Sequence, residues 1–252
     1  MKFSKRMDLF GESIFTTLAN MRSERKKQGL EVIDLSIGAP NIPPTQEVME
    51  TIAKEAMKPE NYLYAIKDAV DLQNTVKEWY KKRYGVTIDS ETEMTSLLGS
   101  QDGLAHLALT LVDEGDTVLV QDPCYPIFRD GPLLAGAHVV TMPLLKENDY
   151  LIDFDMIDEK TAQDAKYMIV SYPNNPTCGV ANNEFYKKLI VFAKKYNIMV
   201  LHDNAYSELL FEGPGHSFLE FEGAKDVGIE FNSLSKTYGL AGARIGFALG
   251  NK

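Results

Sequence analysis

The chain has 252 residues, enough for one large domain or two small ones, and its 44% hydrophobic and 25% charged content excludes a largely disordered polymer. Lysine and arginine number 26 against 36 acids, a formal net charge of −10, which argues against a general nucleic-acid binder. It leaves room for a small anion in a locally positive pocket.

The opening MKFSKRMDLFGESIF is basic and then polar, without the apolar stretch of a secretion signal. Nowhere do 18 uninterrupted apolar residues occur, so no membrane span is expected. Residues 1 to about 28 read as an amphipathic helix, with Phe10, Ile14, Thr17, Leu18 and Met21 at helical spacing and Gly29 as its stop. A short strand, VIDLSI, is expected next, breaking into the turn-rich GAPNIPP. Residues 45–58 and 71–84 read as helices, and in the second Leu72, Val76, Trp79, Tyr80 and Arg83 share a face.

From residue 95 short β runs alternate with helices. Strands are predicted at 117–121, 137–141, 166–172, 198–202, 227–232 and 244–250, and helices at 101–113 and 183–196. Strands apolar on both faces and separated by helices argue for an α/β fold: a three-layer α/β/α sandwich around a mostly parallel sheet. In such folds ligands sit at the carboxyl ends of the strands. Two cysteines, Cys124 and Cys178, lack C-x-x-C or zinc-type spacing, so no metal site and no disulfide framework are expected, and a reducing cytoplasm fits best.

The strongest strand-end signal is SLSKTYGLAGARIGF, residues 233–247, which places Ser233, Ser235, Lys236 and Arg244 in one glycine-punctuated loop. A guanidinium and two hydroxyls suit a phosphate, and an amine condenses with a carbonyl. The bland alternative is a surface loop with a solvated lysine. The glycine spacing differs from a dinucleotide fingerprint. Asp203 and Tyr206 follow the strand IMVLH, and a buried aspartate there needs a cationic or donor partner, which a protonated ring nitrogen would supply. Asn175, in SYPNNPTCG, could join Tyr206 as a donor to a ring hydroxyl, although NNPT alone is an ordinary turn.

Together with GAPN (38–41), LLGSQDGLAHLAL (97–109) and DPCYP (122–126), these segments make the chain resemble the class I/II aminotransferases of the fold-type-I pyridoxal-5′-phosphate (PLP) family, over almost its whole length and in the family's order. The resemblance implies transfer of an amino group from an α-amino acid to a 2-oxo acid. Lys236 would carry the cofactor covalently and move the proton between the substrate Cα and the cofactor, which requires a lowered amine pKa. Asp203 would hold the pyridinium nitrogen, Asn175 and Tyr206 the phenolic oxygen, and Tyr125 would stack on the ring. Gly99, Ser100 and Gln101, at the start of a helix, would bind the phosphate with Ser233, Ser235 and Arg244. Gly38 and Asn175 would line the substrate, and Tyr64, with Tyr62 close enough to compete, would reach across a homodimer interface. Cys178 stands where the family usually has glycine; it is expected to be small and buried, with Gly179 supplying the flexibility.

Residues 1–44 then read as an N-terminal arm and substrate-side segment, and 45–252 as an incomplete PLP-binding large domain. The C-terminal small domain, with the arginine that pairs with the substrate carboxylate, is expected to be absent, and the last strand is expected to expose an uncovered apolar face. Two alternatives remain at this stage: a PLP-binding remnant without turnover, and a C–S lyase of the same fold.

Overall fold

The computed structural model describes residues 2–36 and 38–252; Met1 and Ile37, the latter ending the expected VIDLSI strand, lie outside them. Among the described residues seven strands form one sheet: β1 (Met94–Leu97), β2 (Thr117–Asp122), β3 (His138–Pro143), β4 (Ala165–Ser171), β5 (Met199–Asp203), β6 (Gly228–Ser233) and β7 (Gly246–Leu249). Their order is β1-β7-β6-β5-β4-β2-β3. β2 to β6 run parallel, as their apolar sequences predict. β7 is antiparallel to both β6 and β1, because the connection after β6 turns back without a covering crossover helix.

Period-two alternation sends successive strand residues to opposite layers. Val118, Val120, Tyr167, Ile169, Leu201 and Phe231 pack with Leu104 and Ala108 of α4 (Ser100–Leu111) and with Phe128 of α5 (Ile127–Ala135). Leu119, Met168, Val170 and Val200 face Val76 and Tyr80 of α3 (Val70–Tyr84) and Phe185, Leu189 and Ile190 of α7 (Asn183–Tyr196). The shorter α6 (Glu159–Asp164), α8 (Ala224–Val227) and α9 (Leu234–Thr237) link strands, whereas α1 (Ile14–Lys27) and α2 (Gln46–Ala56) precede the sheet.

Four expectations are corrected. The first helix is broken: a 3₁₀ turn covers Lys5–Leu9 and α1 starts only at Ile14, after Gly11. Residues 32–36 of VIDLSI form no strand, since they have no partner edge among the described residues and Ile33 and Leu35 lie exposed. β1 and α5 are additional elements, β1 because MTSL is short and polar, α5 because Gly131 and Pro132 disguise it. Finally β7 is not bare. All four of its residues are buried, Phe247 against the Tyr80 ring at 6.0 Å and Ala248 in the α4 layer.

Candidate active site

The carboxyl ends of β4, β5 and β6 and the N-terminus of α4 surround a cleft of about 1140 Å³. Gly38, Gly99, Ser100, Gln101, Tyr125, Asn175, Asp203, Tyr206, Ser233, Ser235, Lys236 and Arg244 all line it. Tyr64 does not; it lies 98% exposed away from the cleft, and Tyr62 donates its hydroxyl to the Ala56 carbonyl at 2.6 Å.

Asp203 ends β5 and is buried at the cleft floor, where the Ala205 amide donates to its carboxylate at 3.3 Å. Among the described residues no salt bridge reaches it. Burial therefore raises its pKa to about 6; His202 works against that rise and Glu230 adds to it. Lys236, on α9, donates to the Gly38 carbonyl, and its Nζ stands 5.7 Å from the centroid of the Tyr206 ring. Partial burial lowers the Lys236 pKa; Asp203 opposes that shift and Arg244 adds to it.

Tyr206 accepts from the Asn175 amide at 3.3 Å, so the two side chains already meet. Tyr125 donates to Gln101 Oε1 at 2.7 Å, which ties the DPCYP turn to the first turn of α4. Burial raises the pKa of both phenols, and the Asp203 charge works in the same direction.

At the anion end, Ser233 donates to the Ser235 hydroxyl at 2.9 Å. Arg244 has a left-handed backbone (φ 55) and donates to the Ala241 and Leu98 carbonyls at 3.0 and 3.2 Å. Gly99, the N-cap of α4, has φ 89, and a Cβ there would lie 2.6 Å from an Arg244 guanidinium nitrogen. A Cβ on Gly246 would lie 2.7 Å from the Ser100 amide nitrogen. Glycine at both positions lets a guanidinium press against a helix N-terminus, which concentrates donors and positive potential at one point. These features fit PLP. The guanidinium, hydroxyls and helix start suit its phosphate, the lysine its aldehyde, and the unpaired buried carboxylate its protonated ring nitrogen.

Cys178 is corrected: it is exposed and itself adopts the left-handed conformation (φ 61), while Gly179 does not. Two contributions escaped the sequence. Arg83 donates to both Glu208 oxygens at 3.1 Å and Tyr84 donates at 3.0 Å, which moors the loop carrying Tyr206 to α3. Gln121 accepts from the Ser171 amide at 2.8 Å and from Asn174 at 3.2 Å, which holds the start of the NNPT turn. Neither has a local signature, because the partners lie far apart in the chain.

The chain is 44% identical over 254 residues to the LL-diaminopimelate aminotransferase of Aquifex aeolicus, covering 100% of this chain and 65% of that relative. It superposes on the apo structure of BacF from Bacillus subtilis with a TM-score of 0.93 at 37% identity, covering 100% of this chain and 65% of that one. A Thermus thermophilus aspartate aminotransferase double mutant gives a TM-score of 0.91 at 25% identity, again over 100% and 65%. The chain thus spans about 65% of the length of the relatives it matches. The profile of the family described as aminotransferase class I and II matches residues 31–252, and the chain belongs to that family.

Proposed function

We propose that the chain is the cofactor-binding part of an aminotransferase that moves an amino group from an α-amino acid to a 2-oxo acid. Residues 1–44 would form a substrate-side arm and 45–252 the large domain. The family depends on PLP. When bound, PLP supplies an electron-withdrawing ring that stabilises negative charge at the substrate Cα. The observation that carries the reading is that Asp203 and Lys236 line one cleft, an unpaired buried carboxylate beside an amine whose pKa burial lowers.

The residues divide the work. Asp203 would accept from the ring N–H, and that cation would relieve the cost of burying its charge. Asn175 and Tyr206, already 3.3 Å apart, hold the phenolic oxygen. Arg244, Ser233, Ser235 and the α4 amides at Ser100 and Gln101 anchor the phosphate, and Tyr125 covers the ring. Lys236, which donates to the Gly38 carbonyl here, would be the amine that holds the cofactor's aldehyde carbon, with loss of water, and the base that would carry the proton of the substrate Cα. Gly38 and Asn175 face the substrate.

The relative from Aquifex aeolicus points to a diaminopimelate-type amino acid as donor. A homodimer is proposed, supported by the exposed Tyr62, Leu63, Tyr64 and Ile66. A cytoplasmic setting is proposed too, supported by two free cysteines. Among the described residues no helix is long and apolar enough to cross a membrane. The test is to add PLP and look for a visible absorbance band that Lys236→Ala removes, then to add LL-diaminopimelate in a single turnover. Conversion to the pyridoxamine form supports transamination. A band without conversion supports a binding remnant, and release of ammonia or a thiol from a suitable donor supports a lyase.

A further inference from the structure

Behind the cleft, on the other face of the sheet, lies a buried histidine–glutamate pair that the proposed chemistry does not use. His202 and Glu230 are register partners on β5 and β6, both fully buried, with Nδ1 3.1 Å from Oε2. Glu230 also accepts from the Tyr80 hydroxyl at 2.7 Å, the Ser217 hydroxyl at 2.8 Å and the Phe218 amide at 2.6 Å. The two hydroxyls and the amide all donate to Glu230, the pattern that suits a carboxylate, and the His202 Nδ1 faces the same group.

The surrounding titratable groups come from every packed element. They are Tyr80 and Tyr84 of α3, Tyr186 of α7 (3.3 Å from His202 Nε2), the His216–Glu220 pair of the 216–220 turn, and Asp203 on the opposite face of β5. Strand alternation forces His202 and Asp203 apart, one into the core and one into the cleft, yet they are adjacent in the chain.

We propose that Glu230 and His202 are positioning residues for the site, a buried pair that fixes the end of β5 and sets the charge Asp203 presents to the cleft. An apolar pair would fill the same space without desolvating a carboxylate, so packing alone does not explain the arrangement. The electrostatic directions agree with this: His202 favours the Asp203 carboxylate and Glu230 disfavours it. The inference rests on the reading of Asp203 as partner of the ring nitrogen.

The experiment is a carbon-13 NMR titration of aspartate carboxyls in the cofactor-free chain, with Asp203→Asn assigning the signal. Glu230→Gln is expected to move the Asp203 midpoint down and His202→Gln to move it up, each by about one pH unit. A purely structural pair would lower the melting temperatures and leave the midpoint in place; that result, or shifts of the same sign, overturns the proposal. Should these substitutions prevent folding, Ser217→Ala, which removes one donor to Glu230 and leaves both members of the pair in place, is read in the same titration, and an unmoved Asp203 midpoint rejects the coupling. PLP affinity of Asp203→Asn separates the two claims: if it is unchanged, the reading of Asp203 fails whatever the coupling.

Discussion

Two parts of this chain obey different physics. Among the described residues none before Val76 is buried, and Ile33, Leu35, Ile42, Tyr64 and Ile66 stand 75–98% exposed. Beyond Val76 the sheet is sealed on both faces by helices. The two parts meet at a few points: Lys236 on the Gly38 carbonyl, Asp68 accepting from the Ser96 amide at 2.9 Å, and Phe15 and Leu18 on the cleft wall. The sandwich holds the chemistry in place, whereas the arm covers one side of the cleft with little burial of its own. Local stability should therefore differ strongly between them.

The sharpest separation comes from Lys236→Ala. Among the described residues it removes the one lysine that lines the cleft, so covalent capture of PLP should vanish entirely while the anion end stays intact, read as loss of the visible band with residual non-covalent binding. Next comes Leu189→Ala on α7, a fully buried position, expected to cost about 2–5 kcal/mol in urea unfolding. A small loss there would break the claim that the sandwich carries the stability.

Asp203→Asn acts in the opposite direction. The folded-state pKa of about 6 lies above the ordinary 3.8, so between those values the folded chain holds a proton that the unfolded chain releases. Stability of the cofactor-free chain must fall as pH rises through that window and stay reduced above it. The substitution should restore about 3 kcal/mol at pH 7 and nothing near pH 3. Equal effects at both pH values would remove the desolvated carboxylate from the argument.

How much of this was legible depends on whether the signal is local. The runs TVLVQ, KYMIVSY and IMVLH announce buried parallel strands, and the strand ends name Asn175, Asp203, Tyr206, Ser233, Ser235, Lys236 and Arg244, all of which line the cleft. What escaped depends on distant partners. MTSL becomes β1 only because β7 returns antiparallel beside it, and Gly131 suits α5 because its Cα approaches Ala105 of α4. VIDLSI has strand composition but no free edge to pair with. His202 and Glu230 are similarly hidden: His202 directly precedes the conspicuous Asp203, and alternation sends it into a different layer.

A finer test of the boundary is Arg83→Ala, which releases Glu208 and so loosens the Tyr206 loop from α3. The pair is about one-quarter exposed, so solvent screens it, and about 1 kcal/mol of stability is expected, with weaker PLP binding as the accompanying sign that Tyr206 has moved.

The smallest effect is expected in the arm. Ile33 is 83% exposed, and Ile33→Ser removes almost no buried apolar area, so unfolding should shift by less than about 0.5 kcal/mol. Since the same side chain would matter wherever a neighbouring surface covered it, the measurement is best made over a range of protein concentrations. A cost of 1 kcal/mol or more that grows with concentration would mean that the arm is packed against a second copy, and the contrast between the two parts would then belong to the isolated chain alone.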